Sequence, residues 1–156
     1  MIRKLNLGCG NDIRREEGVE WVNLDSKYVP GVDVQEDFVS AYPWPVEDDT
    51  FDEVLANNSL SQILDPKDFV NVMKELWRVT KDGGLIHIRV PNALHPCAYQ
   101  DPMDCRRFTE ESFTYMEDGH RRYDEYGKHY GFPPFKVKLY ENNGIQMKFE
   151  LIPIKD

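Results

Sequence analysis

A short strand-like segment at the start of the chain runs directly into a glycine-rich turn, and this feature constrains the fold most strongly. Lys4-Leu5-Asn6-Leu7 is followed at once by Gly8-Cys9-Gly10. In open α/β sheets, ligands bind outside the carboxyl ends of the strands, where such a turn lies. Glycines there let the backbone approach a ligand closely, although a tight turn without a ligand explains the same residues. The segment therefore predicts a parallel α/β sheet with a candidate site at the end of its first strand.

Strand-like and helical segments alternate along the rest of the chain. Alternating apolar and polar residues predict further strands at 21–25, 32–34, 51–56 and 85–90. Asp65-Pro66 predicts the start of a helix, because Asp is a good N-cap and Pro suits the first turn, and Gly83-Gly84 predicts its end. Thr109-Glu110-Glu111-Ser112 predicts the start of a second helix. Asn143-Gly144 between two alternating runs predicts a closing β-hairpin.

This order of elements predicts a single α/β domain over residues 1–156, with a mostly parallel sheet that ends in an antiparallel β-hairpin. A chain of 156 residues is long enough to bury one core. The connection between Gly10 and Trp21 is close to the lower limit for joining parallel strands. We therefore expect only a single helical turn there.

Charge and composition exclude several classes of function. The net charge is −9, and residues 103–130 hold seven acidic residues against five Lys and Arg, so nucleic acid and anionic membranes are not expected partners. No apolar run approaches the roughly 18 residues of a membrane span, and the first residues lack a signal-peptide pattern. The three cysteines have neither disulfide nor zinc spacing. We expect a soluble, cytoplasmic protein without a metal site, of unknown oligomeric state.

Three residues follow the predicted strands that neighbour the first. Asp25 ends the second strand, where its carboxylate can accept hydrogen bonds from the two hydroxyls of a ribose. Asp37 could accept from an exocyclic amine, and Phe38 could pack on the face of a base. A surface acid or a core aromatic explains each of them equally well. Position 13 is Ile13, so the pattern Gly-x-Gly-x-x-Gly is not met, which argues against a nicotinamide-dependent oxidoreductase.

Taken together, these motifs resemble those of class I S-adenosylmethionine-dependent methyltransferases, with a segment similar to a small subfamily that methylates sugars and small molecules. The resemblance covers roughly residues 4–113 and is carried by residues 5–10, 21–25, 33–37, 44–54, 75–85 and 101–113. It implies a Rossmann-like, doubly wound sheet. It also implies transfer of a methyl group from S-adenosylmethionine to a small polar acceptor, such as a sugar or metabolite, with S-adenosylhomocysteine as product.

The resemblance further implies roles for individual residues. Eight positions would surround the cofactor: Gly8, Cys9, Gly10, Asp25, Ser26, Asp37, Phe38 and Asn57. The glycine-rich turn would lie under the methionine portion, and Asp25 would hold the ribose hydroxyls beside Ser26. Asp37 would accept from the adenine amine, near the backbone of Phe38. Asn57 would line the sulfonium and amino-acid end.

Two departures from the family pattern remove its usual general bases. The family often has Glu-His after the fourth strand, where this chain has Ser61-Gln62, and His after Asp-Pro-x, where it has Asp104. The local candidates for accepting a proton are Asp104, His95 and His129, each also explained as a surface acid or a loop histidine. The alternative interpretation is a catalytically degenerate S-adenosylmethionine-binding fold that acts as an interaction or regulatory module, with a protein partner.

Residues 92–134 follow the fifth predicted strand and interleave aromatic with basic side chains. On the ligand side of the sheet, this segment predicts an insertion or lid in which Arg106 or Arg107 orients an anionic or hydroxylated acceptor. A partner-binding surface, or a helix core with a solvated face, explains the same composition.

Overall fold

The computed structural model describes all residues, 1–156, and its strands form one seven-stranded sheet. The strands are β1 (Ile2–Leu7), β2 (Val19–Asp25), β3 (Val34–Gln35), β4 (Phe51–Asn57), β5 (Thr80–Pro91), β6 (Phe135–Asn142) and β7 (Gln146–Pro153). Their order is β3-β2-β1-β4-β5-β7-β6, in which β1 to β5 are parallel and β7 is antiparallel to both of its neighbours. The predicted fold class, including the closing hairpin, is confirmed.

The winding direction of the sheet reverses at β1. β2 pairs with one edge of β1, and β4 pairs with the other. Connections on the two sides therefore run over opposite faces, and a crevice opens between the carboxyl ends of the central strands. The glycine-rich turn after β1 lies at this crevice.

One long helix, α1 (Pro66–Val79), covers the apolar face of the sheet. It begins as predicted, because the side chain of Asp65 accepts a hydrogen bond from the backbone of Lys67 and Pro66 occupies the first turn. It ends at Val79, and not at Gly83-Gly84, because Thr80 is already extended (φ −88°, ψ 133°) and opens β5. No helix is long and apolar enough to cross a membrane.

The core lies between α1 and one face of the sheet. Leu5, Val54, Ile86 and Leu151 stand side by side in register on four adjacent strands and are fully buried. They belong to one continuous cluster of buried side chains that also includes the apolar face of α1. The chain therefore has a single core.

The opposite face of the sheet is half-exposed and charged. Lys4 Nζ lies 3.5 Å from a carboxylate oxygen of Glu53, and His87 Nε2 lies 3.4 Å from the same oxygen. The connection from β1 to β2 crosses this face without the single helical turn that we expected. Two buried asparagine side chains hold this connection instead. The amide of Asn6 donates to Asp12 O at 2.6 Å, and the amide oxygen of Asn23 accepts from Arg14 N at 2.9 Å. Side-chain partners therefore replace the hydrogen bonds of a helix.

Residues 92–134, for which the sequence predicts an insertion or lid, contribute several side chains to the core. Phe108, Phe113 and Phe132 are buried, and the Phe113 ring centroid lies 4.6 Å from that of Phe149 in β7. These three phenylalanines therefore belong to the core beside α1, while other side chains of the segment stay exposed. The predicted second helix is a short 3₁₀ turn, Ser112–Met116. The part before Phe108 follows the end of β5 and borders the carboxyl edge of the sheet.

Candidate cofactor site

The glycine-rich turn is held against the end of β2. The N–H groups of Gly8 and Cys9 donate to Leu24 O at 2.9 and 3.2 Å, and the N–H of Gly10 donates to Asp25 Oδ2 at 2.8 Å. Both glycines have positive φ angles, 65° and 51°, which glycine adopts without steric cost. The structure thus brings Asp25 together with the turn, as the sequence predicts.

Asp25 keeps acceptor capacity beyond its role in the turn. Its Oδ1 accepts from the backbone of Lys27 at 2.9 Å, and the hydroxyl of Ser26 lies 3.5 Å from the same oxygen. A carboxylate offers about four acceptor positions, so the ribose hydroxyls of a ligand can still be bound. The pre-formed contacts orient the carboxylate before any ligand arrives.

An unsatisfied hydroxyl lies beside Gly8. A Cβ atom on Gly8 would come within 2.7 Å of Ser59 Cβ and 3.4 Å of the Phe38 ring. Ser59 is only 8% exposed, and its buried Oγ has no hydrogen-bond partner in the protein. Such a group costs roughly 1–3 kcal/mol, and a polar group of a bound ligand would remove that cost. The sequence analysis missed Ser59; its position two residues after β4 was the available signal.

Open space lies next to Gly10. A Cβ atom at this position would meet nothing within 4 Å, in contrast to one on Gly8. The turn therefore presents its backbone to an open volume on the Gly10 side while it packs tightly on the Gly8 side. A closely packed glycine followed by one with open space at its Cβ position fits a cradle for an extended ligand.

Asp37 and Phe38 form the turn after β3. Asp37 is exposed and accepts from Val39 N (3.1 Å) and from the hydroxyl of Ser40, whose hydrogen bond holds the pKa of the carboxyl below its usual range. The ring of Phe38 is buried against Gly8 and lies edge-on to Trp44. The ring therefore has the core position that the sequence left open as an alternative, and a contact of Phe38 with a base stays a prediction.

Two further predicted residues complete this edge of the sheet. Cys9 is buried, and burial, together with the charge of Asp25, raises the pKa of its thiol. It is therefore a neutral, apolar part of the turn. Asn57 ends β4 opposite Arg89, is half-buried, and its side-chain amide has no hydrogen-bond partner in the protein. Its amide is free to bind a polar ligand group.

Of the three candidate proton acceptors, Asp104 is fixed to the loop after β4. The Ser61 hydroxyl donates to Asp104 Oδ1 at 2.9 Å, and Ser61 O accepts from the backbones of Cys105 and Arg106 at 3.0 and 2.9 Å. These bonds join the segment after β5 to the loop that holds Ser59. Asp104 therefore lies at the carboxyl edge of the sheet.

The two histidines occupy different places. His95 follows β5, and its Nδ1 accepts from Cys97 N at 3.0 Å, capping the short 3₁₀ helix Pro96–Tyr99. His129 is exposed in a one-turn helix, and nearby Gly131 packs against the middle of α1. The structure therefore does not bring His129 to the carboxyl edge, because the chain has already turned back along α1.

Arg106 and Arg107 contact different surfaces. Arg106 donates from Nε to Ile63 O at 2.8 Å, and its guanidinium lies 4.4 Å from the centre of the Phe69 ring in α1. Arg107 donates to Asp104 O at 2.5 Å and lies over the ring of Tyr99 at 4.3 Å. The prediction that either arginine orients an acceptor stays a prediction, but the two cannot act as one pair.

Comparison with known proteins finds a family match over part of the chain. Residues 19–88 match a family model described as a methyltransferase domain. No curated protein matches the chain in sequence. No group of three or more His, Cys, Asp or Glu side chains is placed to hold a metal ion. The family match includes β2 with Asp25 and extends through α1 into β5.

Solved structures share the whole fold at low sequence identity. A methyltransferase from Archaeoglobus fulgidus that depends on S-adenosylmethionine matches with a TM-score of 0.66 and 17% identity, over 99% of this chain and 86% of that one. A complex of the Haloferax volcanii Trm112 methyltransferase activator with a methyltransferase gives 0.60 and 14%, over 99% and 83%. Phosphoethanolamine N-methyltransferase 2 of Haemonchus contortus, in complex with S-adenosyl-L-methionine, gives 0.61 and 12%, over 99% and 49%.

The match over residues 19–88 and the shared fold agree with the resemblance to class I S-adenosylmethionine-dependent methyltransferases. The strand order, the glycine-rich turn after β1 and the acid that ends β2 are the parts of this chain that carry it.

Proposed function

We propose that this protein binds S-adenosylmethionine and transfers its methyl group to a small polar acceptor. The observation that carries the proposal is the contact between Gly10 N and Asp25 at 2.8 Å, in the turn whose Gly8 packs against Ser59 and its unsatisfied hydroxyl. This arrangement offers a backbone cradle, a ribose acceptor and a polar partner at one crevice. The family match over residues 19–88 supports S-adenosylmethionine as the cofactor.

The residues of the crevice suit successive parts of an adenosyl ligand. Asp25 accepts from the ribose hydroxyls, and exposed Asp37 accepts from the adenine amine. Gly10 leaves room for the methionine portion, whose polar groups meet Ser59 Oγ and the amide of Asn57. The net charge of the chain is −9, so the positively charged sulfonium is not repelled.

The bound cofactor supplies an electrophilic methyl group, and the chain must place the acceptor in line with it. Correct placement supplies much of the rate. A hydroxyl or amine acceptor also loses a proton, and Asp104 is the best-placed group to accept it, because Ser61 fixes one carboxylate oxygen and the other makes no side-chain contact. His95 is less suited to this role, because its Nδ1 lone pair accepts from Cys97 N and the neutral ring then carries its proton on Nε2.

The proposal is tested by incubating the protein with S-adenosylmethionine and a panel of small sugars, amines and hydroxylated metabolites. Formation of S-adenosylhomocysteine is followed by mass spectrometry. We expect turnover with at least one acceptor, and none with Gly10→Val, which fills the open space next to the turn. Product formation that persists in Gly10→Val would contradict the proposed site.

A second candidate function is an S-adenosylmethionine-binding interaction module without catalysis. Two observations favour it: Ser61-Gln62 and Asp104 stand where the family often has its bases, and one structural relative is held in a complex with an activator protein. The same panel separates the two functions. Binding of S-adenosylhomocysteine without turnover of any acceptor would favour the module over the enzyme.

A further inference from the structure

A groove of about 650 Å³ runs along the outer side of α1, where residues 106–132 pack against the helix. Its wall includes Lys67, Phe69, Lys74, Arg106, Tyr115 and Tyr130. This volume is within the range of small-molecule sites in proteins. None of the residues that surround the glycine-rich turn lines the groove, so it is distinct from the candidate cofactor site.

The groove is positively charged in a chain that is otherwise acidic. Lys67, Lys74 and Arg106 line it, and no carboxylate does. None of the three cations lies within ion-pair distance of an acidic side chain, whereas most other basic residues of the chain do. Asp65, at the N-terminus of α1, caps Lys67 N and acts on Arg106 through its charge, but it forms no ion pair with any of the three cations. The lining therefore has uncompensated positive charge.

Arg106 is the most constrained of these cations. Its Nε and one terminal nitrogen donate to Ile63 O (2.8 Å) and Leu64 O (3.4 Å), and Phe69 lies under its guanidinium. Five N–H donors belong to a guanidinium, so three are left for a ligand. Burial lowers the pKa of Arg106, which means that a bound anion would gain from meeting a poorly hydrated cation.

The two lysines extend the charge along the helix. Lys67 and Lys74 are seven residues apart, so they lie on the same face of α1, about 10 Å from each other. Their flexible side chains can reach a group bound between them. Three cations that converge on one volume favour a dianion over a single carboxylate.

Aromatic rings provide the apolar part of the wall. Tyr115 and Tyr130 are stacked, with ring centroids 6.4 Å apart and planes inclined by 23°. Tyr130 is largely exposed and faces Phe132 edge-on. A planar ligand can pack against such rings while its charged end meets the cations.

From these observations we propose that the groove binds a small aromatic molecule that carries a phosphate group. The phosphate binds to Arg106 together with Lys67 and Lys74, and the ring packs against Tyr115 and Tyr130. This inference does not rest on the proposed methyl transfer, because it involves a different surface of the protein.

The test is calorimetric titration of the whole protein with phenyl phosphate, inorganic phosphate and phenol. We expect phenyl phosphate to bind at least about tenfold more tightly than either fragment, because both parts of the groove contribute. Arg106→Gln should weaken binding at least about fivefold, and Lys74→Gln about two- to fivefold. Lys74 is exposed, so its replacement keeps the fold intact even if Arg106→Gln does not.

Two controls decide whether the groove is the site. Arg121→Gln removes an exposed cation outside the groove, paired with Glu125, and should leave the affinity within about twofold. Saturating S-adenosylhomocysteine should not displace phenyl phosphate. Equal effects of Arg121→Gln and Lys74→Gln, displacement by S-adenosylhomocysteine, or absence of phenyl phosphate binding would each overturn the proposal.

Discussion

Ser61 donates a hydrogen bond from Oγ to Asp104 Oδ1 at 2.9 Å, across 43 residues of sequence. These are the two positions at which the chain departs from the family pattern, and the fold places them in contact. Ser61 is 1% exposed, so this bond is shielded from water on one side. In place of the family's usual bases, the chain therefore has the carboxylate of Asp104, which Ser61 holds in one orientation at the carboxyl edge of the sheet.

We predict that Asp104→Asn lowers the turnover number at least about tenfold, because a positioned base contributes at least that much to proton transfer. The affinity for S-adenosylhomocysteine should stay within about twofold of the wild type, a change of roughly 0.4 kcal/mol. Ser61→Ala should lower turnover less, since the carboxylate remains but loses its orientation. These effects are checked by initial rates with an acceptor that the wild type methylates. His129→Ala serves as the control whose rate should not change. Equal turnover in Asp104→Asn and wild type would remove Asp104 from the mechanism.

The two glycines of the turn should respond differently to alanine. Gly8→Ala places a Cβ atom 2.7 Å from Ser59 Cβ, so we predict a loss of at least about 2 kcal/mol in the free energy of unfolding. In Gly10→Ala the new Cβ atom has no neighbour within 4 Å, so the free energy of unfolding should fall by only about 1 kcal/mol, because of the positive φ angle. Its main effect should be weaker binding of S-adenosylhomocysteine. Urea unfolding and calorimetry of both variants separate these effects, and equal destabilisation would contradict the packing described here.

The stability of the chain should depend on Asp33 in a defined range of pH. Partial burial acts to raise the pKa of Asp33, but hydrogen bonds from Asn23 and Arg15 outweigh it and lower the pKa below its usual value. A lowered pKa gives stability that is complete above the unfolded value of about 4 and lost as the pH falls through the folded value.

We therefore expect Asp33→Asn to lower the free energy of unfolding by about 1 kcal/mol at pH 7 and by much less at pH 3. The value at pH 7 is small because the Asp33 side chain is partly exposed to solvent. Urea unfolding at both pH values measures this difference. Asp82→Asn, an exposed acid without a hydrogen bond, is the matched control. A cost that is the same at both pH values would contradict the assignment.

Thiol labelling should distinguish the cysteine of the turn from the other two. Cys105 is exposed and Cys97 is half-buried, whereas Cys9 is 5% exposed and its pKa is raised by burial. Thiolates are the reactive species, so we expect maleimide to modify Cys9 at least about tenfold more slowly than Cys105. Peptide mass spectrometry over time gives both rates. Comparable rates would show that the turn opens freely in solution.

The parts of the fold that depend on local sequence could be predicted well. The strands other than β3, which is Val34–Gln35 and not 32–34, follow from alternation. The hairpin follows from Asn143-Gly144 and the start of α1 from Asp65-Pro66, because each signal lies within a few residues of the element. The same holds for Asp25, whose place at the end of a strand brings it to the turn. The end of α1 could not be predicted, because Thr80 joins β5 through pairing with distant Phe51.

Features that depend on contacts between distant residues were missed. Glu75 is buried on α1, where it accepts from Trp44 N at 2.6 Å and Arg78 Nε at 2.7 Å and so anchors the connection from β3 to β4. In sequence it reads as an ordinary helix surface residue. The core position of Phe113 was missed for the same reason, because only its contact with distant Phe149 shows that it is buried.

The central claim is that the turn after β1 and Asp25 bind one adenosyl ligand, and calorimetry with S-adenosylhomocysteine tests it most directly. We predict measurable binding, no binding of NAD, and a loss of about 1.5–3 kcal/mol in Asp25→Ala, the scale of a hydrogen bond to a charged group. Asp25→Asn, which keeps an acceptor for Gly10 N, and Asp12→Ala, an exposed acid of the same loop, serve as controls for the fold. Equal affinity of Asp25→Ala and the wild type for S-adenosylhomocysteine would contradict the account.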